Sequence, residues 1–161
     1  VFTVAGARIL GVKDLPNSRI FLIDRVLYVP QGDIYTSVAK SPELQNLTRC
    51  LQKTGLDTLL KGPGPLTLFA PNDAAFGNLP RRELDQLLND PGKLRDLLRR
   101  HVVGGTFYTA GLSNGMKLKA IGGNDLAIGD EPDCTTVDGV KVNSPDINCN
   151  NGVIHMISHM L

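Results

Sequence analysis

The stretch "NSRIFLIDRVL" at residues 17–27 returns without a gap as "NGVIHMISHML" at residues 151–161, 134 positions later. Asn17, Ile20, Ile23 and Leu27 fall on the identical residues Asn151, Ile154, Ile157 and Leu161, and apolar residues coincide at Leu22/Met156 and Val26/Met160. Upstream, "VAGARI" (Val4–Ile9) resembles "VDGVKV" (Val137–Val142) at an offset of 133. One supersecondary unit is therefore used twice. A period near 134 in a chain of 161 residues leaves room for one complete unit, residues 31–161, preceded by the end of another copy, residues 1–30. The chain reads as a fragment of a longer tandem array. In the first copy Phe21 and Arg25 stand where the second has His155 and His159, so the strand itself does not require histidine.

Within the complete unit the apolar period changes once. "DIYTSVAKSPELQNLTRCLQKTG" predicts two helical pieces: Asp33 caps the first, Ser41 and Pro42 start the second, and Leu44, Leu47 and Leu51 recur at helical spacing until Gly55. After the rigid "KGPGP" loop, "LTLFAP" (66–71) reads as a short buried strand, and Asn72 and Asp73 are natural caps for "DAAFGNL". "RRELDQLL" and "PGKLRDLLRRHVV" carry Leu84, Leu87, Leu88, Leu94, Leu97 and Leu98 on helical faces. From residue 105 the period becomes two. "MKLKAI", "NDLAIG", "TTVDGVKV" and "GVIHMISHML" are strands separated by Asn-Gly, Gly-Gly and Asp-Gly turns. Helices followed by a meander, with one early strand joining the same sheet, predict an α+β fold: a twisted sheet or small sandwich flanked by several short helices.

Charge and motifs exclude several functions. Seventeen Lys and Arg against sixteen Asp and Glu leave a net charge of +1, without the global positive field that nucleic-acid binding uses. No apolar run reaches the length of a transmembrane helix. Cys50, Cys134 and Cys149 lack a C-x-x-C spacing; either Cys134 pairs with Cys149 and Cys50 is odd, or all three are free. "HMISH" would place His155 and His159 on one face of a strand, yet it lacks the glutamate and the helix of a metalloprotease motif and the further ligands of a zinc site, so no metal is expected. "GLSNG" (111–115) matches the G-x-S-x-G nucleophile pattern, with Asp125 and His155 following in hydrolase order. Ser113 leads into a strand rather than a helix, however, and an Asn-Gly turn accounts for the glycines. A serine hydrolase is the remote alternative, and the leading expectation is no enzymatic activity and no cofactor.

Two surface features remain. Stretch 81–100 holds Arg81, Arg82, Lys93, Arg95, Arg99 and Arg100 against four acidic residues, a candidate site for glycosaminoglycan or anionic lipid; Asp96 and Arg100 are spaced to pair on a solvated helix. Asn46 opens the sequon "Asn46-Leu47-Thr48", a glycosylation candidate within a helical pattern. His101, at the end of an apolar helical run, reads as a structural histidine.

Taken in order, "TLFAPNDAAF" (67–76), "LLRRHVVGG" (97–105), "NGMKLKAI" (114–121) and "NGVIHMISHML" (151–161) resemble the motif blocks of the fasciclin-like domain family, and "NSRIFLIDRVLYVP" resembles the end of a preceding domain of that family. The resemblance implies a wedge-shaped β-sandwich with helices and no catalysis. It also implies a secreted, matrix or cell-surface adhesion module that contacts integrins or matrix proteins, with further fasciclin-like domains in the parent chain. In that family, integrin contacts are placed at an Asp-Ile pair just before the last block, which here is Asp146-Ile147 of "SPDIN". An exposed carboxylate could complete the coordination of a receptor-held cation; the alternative is a turn aspartate after Pro145 beside a buried isoleucine.

Overall fold

The computed structural model describes residues 2–27, 29–30 and 32–161. The first strands, β1 (Thr3–Val4), β2 (Ala7–Leu15) and β3 (Ser18–Ile23), form an antiparallel sheet in the order β1-β2-β3. The β1–β2 turn places Ala5 at φ 46° and Gly6 at φ 82°, the left-handed pair that a tight hairpin requires.

Helices come next: α1 (Ile34–Lys40), α2 (Gln45–Thr54) and α3 (Asp57–Lys61), then α4 (Asp73–Gly77), α5 (Arg81–Asn89) and α6 (Pro91–Arg99) after strand β4 (Leu66–Pro71). Most of their starts and stops follow the expected chemistry. Asp33 accepts from the Thr36 amide at 2.7 Å, Gly55 ends α2 at φ 74°, and Asp90 caps α6 ahead of Pro91. One boundary differs. The second helix begins at Gln45 rather than at Pro42, because residues 42–44 form a turn pinned to α4: Asp73 donates its amide to the Glu43 carbonyl at 2.8 Å and accepts the Asn46 amide on its carboxylate at 2.9 Å. Asn72 alone caps α4, and Asp73 satisfies an orphan amide of α2.

Strands β5 (Val102–Gly104), β6 (Lys117–Lys119), β7 (Asp125–Glu131), β8 (Cys134–Val137), β9 (Val140–Cys149) and β10 (Gly152–Ile157) complete a seven-stranded sheet ordered β5-β4-β10-β9-β8-β7-β6. A bridge between Val103 and Ala120 brings the two ends together, so the sheet nearly closes on itself. The early strand β4 does join the meander, parallel to β10 in continuous register from Leu66↔Gly152 to Pro71↔Ile157. All six residues of β4 are buried, as expected of a parallel pair covered on both faces. The pair leaves no room at its start: a Cβ on Gly152 would lie 1.8 Å from the Leu66 carbonyl oxygen.

Two apolar clusters result from the two-residue period of the strands. Leu66, Leu68, Ala70 and Ile154 face the helices and pack with Ile34, Leu47, Leu51, Leu60, Leu94 and Leu98. Phe69 and Ile157 face the opposite way and fill the curled sheet with Val103, Leu118, Leu126, Ile128 and Val137. Asn151, just before β10, ties the layers together. It accepts the Ile34 amide at 2.9 Å and donates to the carbonyls of Leu60 (2.6 Å) and Gly62 (2.9 Å).

Candidate functional site around Asp146

Strand β9 does not turn at Pro145; it continues to Cys149 and takes up the extra length as a bulge. The register slips where Ile154 faces Ile147 but Met156 faces Ser144, and Asp146 adopts φ 58°. Its amide, turned out of the ladder, donates to Nδ1 of His155 at 3.1 Å, while Nε2–H of His155 donates to the Phe107 carbonyl at 2.7 Å. This pattern fixes the Nε2–H tautomer of a neutral ring. The ring is fully buried and stacked on Phe69 at 5.5 Å between centroids, and burial pushes its pKa below the ordinary value despite the Phe107 carbonyl and Asp146 acting the other way. His155 is thus the residue that holds the bulge, and its role is larger than the phenylalanine of the first copy suggested.

The Asp146 carboxylate accepts the Thr109 amide at 2.8 Å and the Thr109 hydroxyl, and Nη1 of Arg25 approaches it to 3.8 Å. Its side chain is 11% exposed. Ile147 points to the other side and packs, half-buried, against the helix-facing cluster. The Asp-Ile pair therefore straddles the sheet, and the carboxylate is occupied within the chain. The N-terminal sheet meets the domain beside it: Asn148 donates to the Ala5 carbonyl at 3.4 Å, and a Cβ on Gly6 would approach the Tyr108 ring to 2.7 Å.

The arginines form a second surface. Helices α5 and α6 direct Leu84, Leu87, Leu88, Leu94 and Leu98 inward, so Arg81, Arg82, Arg95 and Arg100 are exposed and Arg99 is half-buried. The expected Asp96–Arg100 pair is not among the ion pairs of the described residues, and none of these arginines has a carboxylate within 4.0 Å there. Asn46 is half-buried in the first turn of α2, and the Thr48 hydroxyl of its sequon donates to the Leu44 carbonyl at 2.9 Å.

Other sequence candidates are not brought together. Ser113 lies exposed on a turn, and both ring nitrogens of His155 are engaged elsewhere, so the hydrolase order Ser113, Asp125, His155 does not become a triad. His159 lies beyond β10, exposed, and shares no face with the buried His155. All three cysteines are free. Cys134 begins β8, which pairs with the opening of β9 through Val137↔Val140, whereas Cys149 ends β9, so the two thiols are held a strand's length apart. Burial raises the Cys50 pKa to about 11. His101, fully buried at the end of α6, donates from Nδ1 to the Leu97 carbonyl at 2.8 Å and accepts the Leu161 amide on Nε2 at 3.1 Å; burial lowers its pKa to about 4.

A nearly closed seven-stranded sheet, the six short α-helices of the described residues and a bulged strand ahead of the last one define an α+β module. The family model of the Fasciclin domain matches residues 42–161, and the chain belongs to that family. It is similar over its whole length to transforming growth factor-beta-induced protein ig-h3 of Sus scrofa (32% identical, covering 24% of that protein) and to human periostin (32%, covering 20%). The chain thus spans about a quarter or less of these two relatives. The protein sll1735 of Synechocystis sp. is 34% identical over 77% of this chain and 93% of its own length. A solved FAS1 domain pair from the insect cell adhesion molecule fasciclin I superposes with a TM-score of 0.69 at 19% identity, covering 98% of this chain and 60% of that one. No helix of the described residues is long and apolar enough to cross a membrane.

Proposed function

We propose that this chain is a cell-adhesion or matrix-interaction module that works outside the cell by protein–protein contact and catalyses no reaction. The observation that carries the reading is the full-length likeness to two proteins of the transforming-growth-factor-β-induced and periostin type, which includes residues 1–30 as well as the domain itself. In this reading residues 1–30 are the end of a preceding fasciclin-like domain, residues 31–161 are one complete domain, and the parent chain carries further copies. The partner is a cell-surface receptor of the integrin class or a matrix protein, with Asp146 and Ile147 as the contact. The Asp146 carboxylate reaches a receptor-held cation only when Thr109 releases it. Asn46 is the glycan acceptor.

A second reading is favoured by the arginines of α5 and α6, which have no acidic partner within 4.0 Å among the described residues: a sulfated glycan or anionic lipid surface binds there. Attachment of cells to the immobilised chain separates the two. The integrin reading expects attachment that disappears on chelation of divalent cations and in Asp146→Asn, a substitution that still accepts the Thr109 amide. Attachment that survives chelation but is lost at moderate salt and in Arg95→Ala/Arg99→Ala/Arg100→Ala supports the polyanion reading and refutes the integrin one.

A further inference from the structure

Beyond the arginines, the fold brings a second run of cations to the end of α6. The amide of Gly122 donates to the Arg99 carbonyl at 3.0 Å, and that of Ile121 donates to the Val102 carbonyl at 2.8 Å. A bridge joins Ala120 to Val103. The chain that leaves β6 is thus fastened to the last turn of α6 and to the start of β5. β6 itself alternates: Leu118 is buried among the strands, and Lys117 and Lys119 are exposed on the other face. Residues 95–100 and 117–119 together carry Arg95, Arg99, Arg100, Lys117 and Lys119 against one carboxylate, Asp96. Lys119 is in register with Asp125 across the β6–β7 pair and Lys117 with Ala127, yet neither lysine has a carboxylate within 4.0 Å among the described residues. Arg95 and Arg99, one turn apart, repel each other as like charges at i,i+4 do. The surplus is local, since the whole chain has a net charge of only +1.

We propose that β6 and the end of α6 form one binding surface for a linear sulfated glycan, with Lys117 and Lys119 as contacts equal in weight to the arginines. The inference rests on the polyanion reading of α6 and adds to it a second element and a choice of ligand. Cations recur about every 6 Å along each element, by one helical turn or by two strand residues, so a chain of sulfates lying across both is met at successive groups. A bilayer fits less well. A surface that docks on anionic lipid places apolar side chains at the boundary of the acyl chains. No large exposed apolar side chain of the described residues lies within 81–127; apart from Leu59, all of them lie within residues 2–29.

Affinity for immobilised heparin, measured over a salt series with the 161-residue chain, tests this. Lys117→Gln/Lys119→Gln and Arg95→Gln/Arg99→Gln are each expected to weaken binding on the order of 10-fold, and Lys117→Arg/Lys119→Arg to preserve it. Lys13→Gln/Lys40→Gln removes the same charge from exposed positions on β2 and α1 and is expected to bind as the unaltered chain does. Weakening in the arginine variant with the Lys117/Lys119 variant silent spares the polyanion reading and overturns the inference. Weakening in the Lys117/Lys119 variant alone overturns the arginine reading and the joint surface with it, as does an unaltered chain that heparin fails to retain at physiological salt. Equal weakening in the Lys13/Lys40 variant is a response to net charge and overturns the inference. Binding to vesicles of phosphatidylserine and phosphatidylcholine that heparin cannot compete away assigns the surface to lipid and overturns it too.

Discussion

Acid should destabilise this domain well before its carboxylates protonate, and His101 sets the size of the effect. Its ring is fully buried, donating to Leu97 and accepting from Leu161, so a second ring proton would displace the Leu161 amide and leave a charge out of water. The folded pKa is about 4 against an ordinary 6.5. Because the folded value lies below the unfolded one, the unfolded chain binds more protons in between. Stability is therefore complete above pH 6.5 and is lost as pH falls toward 4. The whole gap corresponds to about 3 kcal/mol, of which about 2 kcal/mol is gone by pH 5. His155, also shifted downward by burial, adds to the loss with the same sign. Urea unfolding followed by far-UV circular dichroism at pH 7.5 and pH 5.0 measures the difference. His101→Gln can keep a donor for Leu97 and an acceptor for Leu161 without titrating. It should start less stable at pH 7.5 but give back about 2 kcal/mol of the pH dependence. An unchanged pH dependence in His101→Gln would refute the reasoning.

Two further outcomes follow from the packing. Gly152→Ala places a methyl group 1.8 Å from the Leu66 carbonyl and must part β10 from β4; a loss of at least about 2 kcal/mol in urea unfolding is expected, and a neutral substitution would mean that the parallel pair is not as described. Native alkylation with iodoacetamide should label Cys134 alone, since Cys50 and Cys149 are buried with raised pKa values, and mass spectrometry should show one adduct before unfolding and three after.

Much of the architecture was legible because period and punctuation agree locally. The helices at α1, α2, α5 and α6, the buried β4 and the meander all follow from leucine spacing, Gly and Pro stops and alternating strands. What the sequence hid is long-range. β5 has three residues and reads as the tail of the α6 pattern until it pairs with β4. Pro145 suggested a turn, but a neighbouring strand can hold a bulge there without ending the ladder. His155 looked incidental because the first copy has phenylalanine at that place, and the groups that give it a role, Phe107 and Asp146, come from other elements. Asn151 carried a visible signal, its identity with Asn17 across the repeat, although three hydrogen bonds to two helices could not be read from it.

Attachment of cells to a surface coated with the folded chain tests the adhesion account most directly, with the same mass of chain unfolded in urea before coating as the control. The account predicts saturable attachment to the folded chain that soluble chain competes away. Attachment equal to that on the unfolded control, or on albumin, would contradict it.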